Sequence, residues 1–94
     1  MSQVITHHPY VMIERKIVNN QQVINETVHG LYLYSTCILS TESHISINSV
    51  HDISYRALSS DFFFLYLHTN KGVLTFQTKI NPQSFVAAFH QTLN

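Results

Sequence analysis

The sequence predicts a mainly β domain of seven antiparallel strands, bent into a barrel or sandwich and capped by one C-terminal α-helix. Most of the chain alternates apolar and polar residues with period two, which is typical of half-buried strands. Turn-forming residues separate these segments, and the period becomes helical only after Asn81-Pro82. Because no helices lie between the strands, they cannot form a parallel sheet joined by crossovers.

The first three predicted strands occupy the N-terminal half of the chain. Alternation over residues 10–17 predicts the first strand, which ends at a polar turn over residues 19–22. A weaker pattern over residues 23–29 predicts the second. Gly30 then separates it from a third strand over residues 31–39.

Four shorter strands are predicted next, at about residues 45–47, 53–57, 62–69 and 73–80. The last two are joined by Asn70-Lys71-Gly72, where glycine can adopt the positive φ that a three-residue hairpin loop requires. This hairpin is the clearest local prediction in the sequence.

The C-terminal segment changes to helical spacing. Asn81 can cap a helix, and Pro82 suits its first position. The helix places four apolar residues on one stripe, which we expect to cover the open end of the sheet: Phe85, Val86, Phe89 and Leu93. Residues 10–94 are thus predicted as a single domain, preceded by an N-terminal tail over residues 1–9.

Composition narrows the classes of function. Five basic residues balance five acidic ones within 94 residues, and no basic cluster exceeds Arg15-Lys16, so nucleic-acid binding is not expected. The single cysteine, Cys37, cannot form an intramolecular disulfide, which favours a reducing compartment. Neither a membrane-spanning apolar run nor a signal-peptide pattern is visible, and we expect a cytoplasmic protein.

The residues that carry catalysis or bind metals are not grouped in the sequence. Seven histidines are scattered without the His-x-His or His-x-x-x-His spacing of a metal site, so we expect no metal and no cofactor. No nucleophile elbow, phosphate-binding loop or paired-carboxylate motif is present, and Cys37 lies in an apolar segment. The sequence therefore predicts a protein that is not an enzyme.

Both faces of the sixth strand are apolar. If Phe63, Leu65 and Leu67 point into the core, three aromatic side chains point outward, and two tyrosines occupy a similar position on the third strand: Phe62, Phe64, Tyr66, Tyr32 and Tyr34. Two interpretations stay open. Either the curvature of the barrel or the helix covers these rings, or they form an interaction surface for a protein partner or a second copy of the chain.

Two segments carry a resemblance to a known family: Ile45-x-Ile47-x-x-Val50-x-x-Ile53, and FFFLYLHTNKGVLTFQT followed two residues later by NPQSFVAAF. They resemble bacterial pleckstrin-homology-like (PH-like) domains, in which seven antiparallel strands form a bent, partly open barrel or sandwich and a C-terminal helix plugs one end. LHTNKG and FQT are most similar to the SunI/YnzG-like group, which contains the sublancin immunity protein.

Two functional hypotheses follow. The preferred one is a non-catalytic protein-interaction module that binds another protein or a second copy of itself, through the aromatic face or by adding a strand to an exposed edge. The alternative, implied by the resemblance, is a bacteriocin (lantibiotic or sublancin-type) immunity-related protein, or a protein that binds lipid or ligand headgroups. Adjacent Arg15 and Lys16 point to opposite faces of a strand and give little phosphate affinity, although weak membrane-surface contact stays open.

Overall fold

The computed structural model of the chain describes residues 3–93 and confirms the predicted fold class: seven antiparallel strands and one C-terminal helix. The elements are β1 (Thr6–Val18), β2 (Gln21–Leu33), β3 (Cys37–Leu39), β4 (His44–Ser46), a 3₁₀ turn (Ile47–Ser49), β5 (Val50–Ser59), β6 (Phe62–Thr69), β7 (Gly72–Thr78) and α1 (Gln83–Leu93).

The strands form one bent sheet in the order β4-β3-β2-β1-β7-β6-β5. The sheet does not close, because β4 and β5 lie at its two edges. Between them, β1 joins the two halves, pairing with β2 along its whole length and with β7 at Val11 and Gln77. The bend places one face of every strand around a single core.

The core lies between the inner face of this sheet and α1. Eleven residues form its buried cluster: Tyr10, Leu31, Leu33, Ile38, Val50, Ile53, Leu65, Leu67, Phe85, Val86 and Phe89. The helix thus contributes three apolar side chains to the core. The side chain of Leu93, the fourth residue of the predicted stripe, lies outside the described part of the chain.

The start of α1 is fixed by local hydrogen bonds. The Asn81 Oδ1 accepts a hydrogen bond from the Gln83 N–H at 2.9 Å, so Asn81 caps the helix as predicted. The Pro82 carbonyl accepts the Val86 N–H at 3.0 Å, which is the first bond of helical spacing. At its other end, His90 Nε2 lies 2.9 Å from Asp52 Oδ1 and links α1 to β5.

Positive φ angles mark the two tight hairpins. Asn19 and Asn20, at φ 52° and 61°, form the two-residue turn between β1 and β2, with the geometry that matches the twist of paired strands. Gly72 has the positive φ, 124°, that the Asn-Lys-Gly pattern predicts. The predicted three-residue loop was wrong, because Gly72 begins β7 and pairs with Thr69, which leaves only Asn70 and Lys71 in the turn.

The predicted boundaries were wrong at the N-terminus. β1 begins at Thr6 and not at residue 10, because its pairing with β2 continues to Thr6 opposite Leu33. Residues 6–9 of the predicted tail therefore belong to the sheet. His8 within this segment is buried.

The predicted third strand was also wrong. Gly30 does not separate two strands; β2 runs through it to Leu33, and the chain then reverses where the Tyr34 N–H donates to the Cys37 carbonyl at 2.8 Å. The absence of a side chain at Gly30 serves packing, since a Cβ there would lie 2.6 Å from the Tyr32 hydroxyl oxygen. The Tyr32 ring covers the glycine backbone.

Candidate interaction surfaces

The distal part of the β1–β2 hairpin is an arm that projects from the body of the domain. We call residues 13–28 the hairpin arm: each is exposed, in both strands and the turn. The molecule measures 52 × 29 × 24 Å along its principal axes. The six arm residues of β1, at about 3.3 Å each, span about 20 Å. The arm therefore lies outside the core.

Sheet pairing explains why the arm is exposed. Among residues 3–93, the pairing of β1 with β7 is at Val11, and that of β2 with β3 is at Tyr32 and Leu33. Both pairings lie at the base of the hairpin. Beyond them, the outer edge of each arm strand carries backbone N–H and C=O groups without a strand neighbour in the described structure, which is a template for further pairing.

Six of the sixteen arm residues have large apolar side chains that are exposed. These residues are Ile13, Ile17, Val18, Val23, Ile24 and Val28. Ile17 is 81% exposed and Val28 is 70% exposed. Clusters of exposed apolar side chains on a small domain commonly mark binding surfaces.

Alternation distributes the arm's side chains over two faces. Ile13, Arg15 and Ile17 lie on the outer face, together with Ile24 and Val28 of β2, which stand opposite Arg15 and Val11. The outer face also carries Glu26, whose Oε1 lies 2.6 Å from Lys79 Nζ and ties the arm's base to the segment after β7.

The inner face of the arm continues the face that carries the core side chains. Its β1 residues are Glu14, Lys16 and Val18. Glu14 Oε1 and Lys16 Nζ lie 3.4 Å apart, both exposed. Opposite charges thus stand two residues apart on the same strand.

An open cleft of about 320 Å³ lies where β1 and β7 diverge at the base of the arm. Its walls are formed by Met12 and Ile13 of β1, by Leu74 and Phe76 of β7, and by the Ser40–Ser43 loop. Leu74 is 39% exposed. The cleft thus presents both apolar and polar side chains next to the free edge of β1.

The outward aromatic residues of β6 form an aromatic row: Phe62, Phe64, Tyr66 and His68. Successive ring centroids lie 6.3, 6.1 and 6.3 Å apart, with the first two rings edge to face. Each member is half-buried, so each ring covers part of its neighbours. Polar side chains of β5 and β7 flank the row, including Arg56 and Gln77 on either side of Phe64.

Tyr32 and Tyr34 are not part of this row. Tyr32 is exposed on the outer face of β2, where its ring stacks on His7 with centroids 5.9 Å apart. Tyr34 lies in the loop after β2 and is half-buried. Since β1 and β7 separate β2 from β6, the five aromatic residues predicted as one surface are divided into separate groups.

The buried polar side chains of His8 and Thr78 belong to one hydrogen-bond network. His8 Nε2 lies 2.9 Å from Thr78 Oγ1 and 3.0 Å from the Ile80 carbonyl oxygen, and Thr78 Oγ1 donates to the Pro9 carbonyl at 2.8 Å. Burial lowers the pKa of His8 below its usual 6.5; the Ile80 carbonyl opposes this shift, and the charge of His7 adds to it. The network joins β1 to β7 and so positions the base of the arm.

A serine, a histidine and an aspartate do come together near the aromatic row. Ser54 Oγ lies 2.8 Å from His68 Nε2. Asp52 instead bonds to His90, and that bond is the main cause that lowers the pKa of the Asp52 carboxyl. Over residues 3–93 no hydrogen bond joins Asp52 to His68, so the serine–histidine pair is not oriented by a carboxylate as in a catalytic triad.

Within residues 3–93 there is neither a cluster of metal-ligating side chains nor a membrane-spanning helix. In this part of the chain, no three histidine, cysteine or acidic side chains converge as a metal site would require. No helix between residues 3 and 93 has the length and apolar character needed to cross a bilayer.

Comparison with known protein families, with characterised proteins and with solved structures gives no match to this chain. The function is therefore inferred from the geometry of the surfaces described above.

The hairpin arm is the surface that the sequence analysis missed. The alternation of residues 10–17 predicted a strand with one face in the core, and nothing in that pattern indicates that the core ends at Met12. The signal that could have revealed the arm is the density of polar residues in β2, from Gln21 to Thr27.

Proposed function

We propose that the protein is a non-catalytic protein-interaction module that binds through its hairpin arm. The observation that carries the proposal is the continuous exposure of residues 13–28 combined with their apolar content. An exposed isoleucine such as Ile17 is not part of this domain's core, so its apolar surface is free to contact a partner.

Backbone geometry supports the same role. The free edges of the arm offer main-chain hydrogen bonds to an extended segment, and the side chains beside them set which segment fits. The aromatic row is a weaker candidate, because its rings cover one another and polar strands flank it. It fits a secondary contact at the edge of the same outer face.

We include the PH-like relationship in this proposal. The seven bent antiparallel strands and the terminal helix that completes the core support it. Scaffolds of this type carry many unrelated binding sites, so the relationship does not identify the partner.

The experiment compares two matched double variants in the cell that encodes the protein. Ile17→Ser with Ile24→Ser alters the arm, whereas Val73→Ser with Leu58→Ser alters comparably exposed apolar residues of the body. Affinity capture and mass spectrometry identify the proteins retained by the wild type. We expect the body variant to retain the same partner and the arm variant to lose it.

Binding of the purified partner is then measured by calorimetry. A binding constant that is at least about tenfold weaker for the arm variant alone supports the proposal. Equal binding by both variants, or retention of no partner and no self-association by the wild type, would contradict it.

A further inference from the structure

The β1 edge of the arm has a charge pattern that fits a second copy of itself. We propose that two molecules pair β1 against β1 in antiparallel fashion, extending the two arms into one four-stranded ribbon. The inference rests on the proposed function of the arm and specifies its partner. Three features support this pairing: the free edge of β1, the registers that symmetry allows, and the side chains that each register brings together.

The free edge is long enough to pair. β1 has β2 on one side, and beyond Val11 its other side carries no neighbouring strand among the described residues. The free edge of β1 therefore consists of seven residues, 12–18. Strand addition would satisfy these groups with main-chain hydrogen bonds.

Symmetry limits the register. Two identical antiparallel strands related by a twofold axis perpendicular to the sheet keep the outer faces on the same side. Directly opposite residues must then have their side chains on the same face of the sheet. A register shifted by one residue is excluded, because it would place an outer-face residue opposite an inner-face residue. The twofold axis must therefore lie between one residue of β1 and the same residue of the second copy. Glu14, Arg15 and Lys16 are the three residues at the middle of the free edge.

Charge selects among these registers. Centring the axis on Glu14 places two acidic side chains opposite each other, and centring it on Lys16 places two basic ones opposite each other. Centring it on Arg15 places Glu14 opposite Lys16 of the second copy, twice. The exposed Glu14–Lys16 pair within each of the two molecules would be replaced by one of two pairs between the molecules.

The apolar side chains fit the Arg15-centred register as well. Ile13 stands opposite Ile17 of the second copy on the outer face, and Met12 stands opposite Val18 on the inner face. The turn of the second copy, after its Val18, then reaches the cleft between β1 and β7, where Leu74 is exposed. One unfavourable contact is left, Arg15 opposite its own copy.

The same charges argue against an unrelated partner strand. Charged residues on an edge strand discourage pairing with neutral or like-charged segments. Only a strand with a basic residue opposite Glu14 and an acidic residue opposite Lys16 restores the balance, and the antiparallel copy meets this requirement. The edge is selective for itself.

Charge exchange tests the pairing by sedimentation equilibrium. We expect the wild type to be a dimer, and Glu14→Lys and Lys16→Glu each to weaken dimerisation at least about tenfold, because each replaces two attractive contacts by two repulsive ones. The double variant Glu14→Lys with Lys16→Glu should dimerise like the wild type. An equimolar mixture of the two single variants should form a heterodimer, since its contacts are again complementary.

Three further variants sharpen the test. Asp61→Lys and Lys71→Glu make the same changes of charge in the β5–β6 and β6–β7 turns, and both should dimerise normally. Arg15→Thr removes the like-charge contact at the axis and should tighten the dimer. Circular dichroism confirms that each variant is folded.

Each outcome decides the inference. Restored association in the double variant and in the mixture supports it, while a dimer that the single variants leave intact refutes pairing through β1. A wild-type monomer up to about millimolar concentration, where affinities of about −4 kcal/mol are detected, also refutes it. That last result leaves the proposed function standing, because capture of a different protein by the arm is measured separately.

Discussion

His8 on β1 and Thr78 at the end of β7 are held together by a buried hydrogen bond of 2.9 Å between Nε2 and Oγ1. The Ile80 carbonyl oxygen, 3.0 Å away, can only accept, so Nε2 carries the proton and the neutral imidazole donates. The bond ties together the two strands that diverge at the cleft, and it makes the junction sensitive to acid.

Acid should destabilise the fold through His8. Because burial lowers its pKa in the native state, the unfolded chain takes up the proton at higher pH than the folded chain does. The contribution of His8 is therefore complete above pH 6.5 and is lost as the pH falls from 6.5 toward the lowered value. Urea unfolding between pH 8 and 5 should show this loss.

The variant that tests this assignment is His8→Gln. Its matched control is His44→Gln, which changes an exposed histidine. We expect His8→Gln to remove the loss of stability near pH 6 and His44→Gln to retain it. Asp52, whose pKa is lowered from 3.8 mainly by its bond to His90, contributes stability that is lost only at more acid pH, so the two effects separate. An unchanged pH profile in His8→Gln would refute this assignment.

Gly30 and Tyr32 should be energetically coupled. Gly30→Ala displaces the Tyr32 ring and weakens its stacking on His7, so we expect a loss of about 0.5–1 kcal/mol in the free energy of unfolding. In a Tyr32→Ala background, Gly30→Ala should be neutral or stabilising, because alanine loses less conformational entropy than glycine when it is fixed in a strand. A double-mutant cycle measures the coupling, and additive effects would contradict it.

The core and the arm should respond differently to loss of an apolar side chain. Phe89 is completely buried in the core cluster, and Phe89→Ala should cost about 3–5 kcal/mol in the free energy of unfolding. Ile17→Ala on the arm should change it by less than about 0.5 kcal/mol under monomeric conditions. Chemical denaturation of both variants at low protein concentration checks the difference.

Hydrogen exchange should separate the arm from the body. Backbone amides of the arm are held by one partner strand without a packed face, so they exchange through local opening. Amides next to Leu65 and Leu31 should require nearly global unfolding. In the Glu14→Lys variant we expect much faster exchange over residues 13–28; equal protection in both regions would show that something else covers the arm.

Anionic vesicles should not bind the protein strongly. Arg15 and Lys16 lie on opposite faces of the arm, and Lys79 is paired with Glu26, so these three cations do not form one basic surface. Co-sedimentation with vesicles containing about one-third anionic lipid at physiological salt should leave the protein in the supernatant. If the protein instead sedimented with the vesicles and added salt released it, the result would favour the headgroup-binding alternative.

The sequence predicted the features that depend on local chemistry. The Asn81 cap, the Gly72 turn and the change of period after residue 80 are short-range signals, and the structure confirms them. The alternation of Phe63, Leu65 and Leu67 toward the core also follows from strand period alone. These signals require no knowledge of how the strands are arranged.

Long-range pairing explains what could not be predicted. Gly30 is typical of a strand boundary in the sequence, yet Tyr32 on the same strand uses the space it leaves. Val18 and Val23 lie on the same face as the core side chains, and their exposure depends on where β7 diverges from β1, which no local pattern records. Tyr32 and Phe62 are separated for the same reason, because strand order and not sequence position decides which outward residues are neighbours.

The separation of arm and core has an evolutionary consequence. Substitutions at residues 14–16 leave the packing around Phe89 untouched, so selection on folding does not restrict them. Under the proposed β1–β1 pairing, duplicated genes within one cell would acquire distinct pairing specificities by exchanging these three neighbouring charges. Each product would assemble only with its own kind while the scaffold beneath stays the same.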